Sequence, residues 1–153
     1  MEDVADDVER TYREQADRLW RAIVLFSGDP DIASDAVSEA FAQAIARGSA
    51  IDHLDRWVWR SAFLIARGDL KSRSRHTHEV PDLPEEVPPE TVDLMKALAN
   101  LSPKQRASIV LHHYAGYSTR ETADIIGSTA GAVGMHLARG RSRLREALGD
   151  EDV

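Results

Sequence analysis

Apolar residues recur at helical spacing in successive runs along the chain, each bounded by a capping residue or a glycine. The first run, with Val8, Tyr12, Leu19, Ile23 and Phe26 on one face, predicts a helix from after Asp3 to about Phe26, closed by Gly28. Asp29 followed by Pro30 is the cap-then-proline order of a new N-terminus. Ile32, Ala33, Ala36, Val37, Ala40, Phe41, Ala44 and Ile45 carry that second helix to Gly48. A third helix is predicted from about Leu54 to Ser74. It interleaves Trp57, Trp59, Phe63, Leu64 and Leu70 with Arg56, Arg60, Arg67, Lys71, Arg73 and Arg75.

The pattern then breaks. His76 to Glu90 holds Pro81, Pro84, Pro88 and Pro89 among acidic residues, which excludes a regular helix and predicts an extended linker between two domains that move independently. A short helix with Val92, Met95 and Leu98 follows. Beyond it come three helices whose ends are written in capping residues: Ser102 with Pro103 and Gln105, Ser118 with Glu121, and Thr129. Gly116 and Gly127 are their stops. In the last helix Val133, Leu137, Leu144 and Leu148 form the apolar stripe, while Arg139, Arg141, Arg143 and Arg145 lie off it. The fold class is therefore all-α: two small helical domains, residues 1–76 and 91–148, joined by an acidic proline-rich linker at 77–90.

Two helices across a tight glycine turn, the second basic toward its end, match a helix-turn-helix whose second helix enters a major groove. Three ordinary packed helices would give the same pattern. Composition sharpens the choice. The net charge of −7 hides a segregation: residues 1–50 carry −6, 51–78 carry +3, 79–100 carry −5, 101–148 carry +4 and the last five residues −3. Such a chain meets nucleic acid at two places and repels it elsewhere. In the third helix, aromatic residues that stack on bases and arginines that neutralise phosphates suit a single strand better than a duplex, although Trp57 equally suits a core.

The run Leu101-Ser102-Pro103 with Gln105-Arg106, Gly116-Tyr117-Ser118, Glu121, Ala123, Ile126-Gly127, Gly131, Val133, Leu137 and Arg141 to Leu148 resembles the promoter-reading domain of bacterial RNA polymerase sigma factors of the extracytoplasmic-function group, within the sigma-70 family. The run from Asp29 to Phe41 is similar to that family's segment that docks on core polymerase, with Asp35, Glu39 and Phe41 in place, and with Ser34 and Ser38 where the family more often has glutamate and glutamine.

The resemblance implies a sigma factor that directs core RNA polymerase to promoter DNA, with an anti-sigma factor as a further partner. Polymerase contacts fall on Asp35, Ser38, Glu39, Phe41 and Gln43. Contacts to the minus-ten element fall on Trp57, Trp59, Arg60, Arg67, Lys71, Arg73 and Arg75. Contacts to the minus-thirty-five element fall on Arg120, Thr129, Ala130, Ala132, Met135, His136, Arg139, Arg141 and Arg143. The family commonly has threonine, lysine, serine and arginine where Ala132, Gly134, Met135 and His136 stand. Two other classes fit part of the pattern: a sigma-like interaction protein with weakened DNA reading, and a plain helix-turn-helix repressor.

No enzyme, cofactor or metal is expected. Of six histidines, the pairs His76 with His78 and His112 with His113 lack the spacing and companion ligands of a metal site, and there is no cysteine. No phosphate-cradling glycine loop or nucleophile elbow occurs. The acidic start and the lack of a long apolar run predict a cytoplasmic protein with no membrane contact.

Overall fold

The computed structural model describes residues 4–76 and 88–149, with backbone only for 74–76. Among them there is no strand. The helices are α1 (Val4–Ser27), α2 (Pro30–Arg47), α3 (Leu54–His76), α4 (Pro89–Ala99), α5 (Pro103–Ile109), α6 (Thr119–Ile126) and α7 (Ala130–Leu148). The predicted linker lies almost wholly outside the described residues; only Pro88 to Glu90 belong to them, at the start of α4.

The helix ends follow from the local chemistry read in the sequence. Asp29 Oδ1 accepts from the amides of Asp31 and Ile32 at 2.9 and 3.4 Å, and Gly28 turns the chain at φ 71°. Both capping boxes close: Ser102 Oγ accepts from Gln105 N at 3.2 Å, and Ser118 Oγ from Glu121 N at 3.0 Å, with each glutamine or glutamate oxygen taking the cap's own amide in return. Gly127 takes the left-handed conformation that joins α6 to α7. The helix predicted between the Ser102 cap and the Gly116 stop is different in its last part. Val110–Tyr114 forms a π turn, in which the Ala115 amide bonds Val110 O at 3.0 Å.

α1, α2 and α3 pack as a three-helix bundle around Leu19, Ile23, Phe26, Ile32, Val58, Trp59 and Phe63. On α2, Ala33, Ala36, Ala40 and Ala44 are fully or almost fully buried, small side chains that let its neighbours approach closely. α5, α6 and α7 form the second cluster, on Ala107, Val110, Leu111, Ile125, Val133 and Leu137, with α4 against α7. Gly140 is required there: a Cβ at that position would stand 2.9 Å from Ile109 Cγ1.

The two clusters are not independent domains. They share one continuous core, in which α3 packs on α6, and α1 on α4, α5 and the π turn. At the junction Trp59 is fully buried, its ring edge-on to Tyr117 at 5.3 Å, and its indole N–H donates to Gln15 Oε1 at 3.0 Å. Arg106 donates to Phe26 O at 2.7 Å and lies over the Phe26 ring, while Arg18 donates to Ala115 O at 2.5 Å. The space left among Phe26, Phe63, Ala107 and Ile125 is about 20 Å³, room for one water molecule.

Burial favours the neutral phenol of Tyr117 and pushes its pKa from 10.0 to about 12, with the charge of Asp55 adding to the rise. A raised pKa of this kind gives stability that is fully present below pH 10 and is lost as pH climbs from 10 through 12. Of the three tyrosines, one should therefore ionise about two pH units late in an absorbance titration, and Tyr117→Phe should remove that late phase. Ionisation of Tyr117 at its ordinary pH, near 10, would mean that the junction is open. In α7, Gly140→Val should cost about 2–3 kcal/mol by overpacking. Gly134→Ala, where nothing lies within 4 Å, should instead add up to about 1 kcal/mol by helix propensity. Denaturant midpoints of the two variants should move in opposite directions.

Candidate polymerase and nucleic-acid interfaces

On α2 the sequence-predicted docking residues divide between two sides. Asp35, Ser38 and Glu39 are exposed, and Gln43, half-buried one turn on, donates to Glu39 Oε1 at 3.0 Å. Phe41 is on the other side, 5 % exposed and edge-on to Tyr12 at 5.0 Å, so it supports the docking face without forming it. Ser34 accepts a hydrogen bond from the Trp20 indole at 3.0 Å and so ties α2 to α1. Ile45 is the last of the apolar residues that mark α2 in the sequence. It is 60 % exposed, an apolar residue turned to solvent near the end of α2.

α3 presents a reduced version of the predicted single-strand surface. Arg60, Arg67 and Lys71 are exposed, and Leu64 stands among them at 50 % exposure. Trp59 is no stacking platform in this conformation, because it is the centre of the junction. Trp57, two residues earlier and so on a different face, is half-buried with the Arg47 guanidinium 5.6 Å from its ring. Arg73 is held in an ion pair by Asp29, the carboxylate that also caps α2. The Arg75 side chain lies outside the described residues.

In the helix-turn-helix, α6 and α7 meet across Gly127 and the front of α7 faces solvent. Ala130, Gly131, Gly134 and Met135 are exposed, while Ala132 and His136 are half-buried. Thr129 uses its hydroxyl as the cap, accepting from Ala132 N at 3.1 Å. Burial, and then the charges of Lys104 and Arg139, lower the His136 pKa, so at neutral pH this position carries no cation.

The arginines of α7 split likewise. Arg139 is exposed, as is Arg120 on α6, whereas Arg143 reaches back to Asn100 O and Gln105 Oε1, and Arg141 to His113 Nε2 at 3.3 Å. Among the described residues, the exposed basic groups of these faces that have no described partner include Arg60 and Arg67 on α3 and Arg120, Arg139 and Arg145 on α6 and α7. Among the described residues no cluster of His, Asp or Glu could hold a metal ion, and no helix is long and apolar enough to cross a membrane.

The family model for sigma-70 region 4 matches residues 91–144, the part that contains α4 to α7. The RNA polymerase sigma-E factor of Streptomyces coelicolor is 33% identical, over 96% of this chain and 89% of its own length. The ECF RNA polymerase sigma factor SigM of Mycobacterium tuberculosis is 32% identical over 94% of this chain and 76% of its own. Among solved structures, the sigma factor RpoE in complex with the anti-sigma factor NepR from Bartonella quintana has the same fold, with a TM-score of 0.80 at 24% identity, covering 95% of this chain and 98% of that one. CnrH in complex with the cytosolic domain of CnrY follows at a TM-score of 0.73 and 22% identity, covering 95% and 89%. A shared fold over nearly the whole length, together with one-third identity to these relatives, makes the chain a member of the extracytoplasmic-function group of RNA polymerase sigma factors, in the sigma-70 family.

Proposed function

We propose that this sigma factor docks on core RNA polymerase through the exposed acidic face of α2 and directs it to promoters, with α3 meeting the minus-ten element and α7 the minus-thirty-five element. The observation that carries this reading is the division of the surface into an acidic face on α2, bearing Asp35 and Glu39, and exposed basic groups elsewhere, with Arg67 and Lys71 of α3 lining one groove together with Lys104 and Arg139 of the other half. The division into residues 1–76, a linker and residues 91–148 belongs to the same reading. The chain supplies no catalysis, since polymerisation belongs to the partner. It works in the cytoplasm, and an anti-sigma factor is a further partner, in keeping with the neighbour RpoE, whose structure is a complex with the anti-sigma factor NepR.

The packed form cannot serve both promoter elements at once. The two elements, as their names give them, lie about 25 base pairs apart, or roughly 85 Å along B-form DNA. A chain of this length packed as one body is about 40 Å across. The junction at Trp59, Tyr117, Arg18 and Arg106 therefore opens when the polymerase complex forms, and the packed form is the resting state of the free chain.

Base readout by the free chain is weak for a chemical reason. Ala130, Ala132 and Met135 offer only apolar contact, for example with thymine methyls, and each missing bidentate contact forgoes about 1–3 kcal/mol of discrimination. With about three phosphates neutralised, affinity for duplex should fall about 40-fold between 50 and 200 mM salt. In a salt series the isolated chain should show this slope with little sequence preference. A tight, base-specific, salt-insensitive footprint would instead make the chain a repressor. Asp35→Arg combined with Glu39→Arg, two exposed positions that leave the core untouched, should abolish co-purification with core polymerase while circular dichroism stays unchanged. Undiminished co-purification would place the docking face elsewhere.

A further inference from the structure

The cleft between the two halves on the α4 side has a composition that neither polymerase docking nor DNA reading uses. It has a volume of about 380 Å³, within the range of small-molecule sites, and such sites favour boundaries between packed units. Its walls are apolar: Leu25 of α1, Leu94 and Leu98 of α4, Val110 of the π turn, and Leu144 and Leu148 of α7. Three polar groups join them, His113, Tyr114 and Arg141, and no carboxylate is among its described lining residues.

Arg141 is the unusual member. Its described polar contact is a histidine ring nitrogen, His113 Nε2 at 3.3 Å, and no described carboxylate lies within ion-pair distance of it. His113 is biased toward its neutral form, by burial first and then by the charges of His112 and Arg141, so its Nε2 can accept from the guanidinium, but an imidazole in either form supplies no counter-charge. A guanidinium beside an apolar cleft, with donors to spare, is matched by a planar carboxylate, which two parallel N–H groups can hold. Val110, His113 and Tyr114 of the cleft wall all come from the π turn, a local irregularity of the sort that often marks a functional site.

We propose that this cleft is a binding site for a small amphiphilic carboxylate, of the class of medium-chain fatty acids, with the hydrocarbon against Leu25, Leu98 and Leu144 and the carboxylate on Arg141. A pure hydrocarbon would leave Arg141 without a counter-charge, and a phosphate or nucleotide would gain nothing from the leucine walls. Because Leu25 belongs to one half and Leu98 and Leu144 to the other, an occupied cleft holds the halves together. The ligand thus favours the packed chain.

Titration calorimetry on the full chain tests this, with decanoate and its neutral counterpart decanamide, both below their aggregation limits. Saturable one-to-one binding of decanoate is expected, at least about tenfold tighter than decanamide and at least about tenfold weakened by Arg141→Gln. Amide-proton NMR shifts should centre on Leu98, His113 and Leu144. Should Arg141→Gln fail to fold, the comparison of acid with amide on the unmodified chain still decides. Equal affinity for acid and amide, shifts centred on another surface, or no saturable binding at all would overturn the proposal. The last result is also what a cleft reserved for a partner protein's helix would give.

Discussion

The structure depends on how Trp59 is covered. An indole of that size, with no exposure at all, needs an apolar wall on every side and a partner for its N–H. Phe63 supplies part of the wall from the same helix and Gln15 accepts the N–H from α1, but the ring is completed only by Tyr117, from the turn before α6. One buried side chain thus makes the N-terminal bundle incomplete without the C-terminal cluster. Arg18 and Arg106 complete the join. Each donates to a main-chain carbonyl across the boundary, at Ala115 and Phe26, and hydrogen bonds from charged donors contribute about 1.5–3 kcal/mol each. Separating the halves must break both and hydrate Trp59, Phe26 and Tyr117 together.

Helix boundaries were legible in the sequence because their causes are local. A serine and a glutamine three residues apart, or an aspartate before a proline, specify a helix start whatever the rest of the chain does. The division of roles among like residues was not legible, because it depends on partners distant in sequence. Trp57 and Trp59 are two residues apart on α3 and so on different faces, and only the arrival of Tyr117 decides which one becomes core. Among the arginines, charge alone suggested DNA for Arg73, Arg141 and Arg143, yet Asp29, His113 and the carbonyl of Asn100 are within their reach. The burial of Phe41 was not legible for a similar reason: it matches the docking motif in position, and Tyr12 covers it. The packing of the halves left no sequence signal either, since a proline-rich segment limits only its own backbone.

The function then becomes a question of when the junction opens. Arg67 of α3 and Arg139 of α7 line one groove in the packed chain, so in the proposed reading the two promoter elements are reached together only once the junction opens. Binding to core polymerase and to DNA phosphates would then offset the cost of exposing the shared core. A ligand in the α4 cleft would act in the opposite sense.

The chain has no cysteine, so a donor and an acceptor dye can be placed at two exposed sites, Gly68→Cys on α3 and Glu146→Cys on α7, without background labelling. Energy transfer between them, measured in the free chain and again with core polymerase on promoter DNA, tests the central claim most directly. High transfer in the free chain and a fall to low transfer in the initiating complex is the predicted result. Transfer that stays high in a complex starting transcription at a defined site would contradict it.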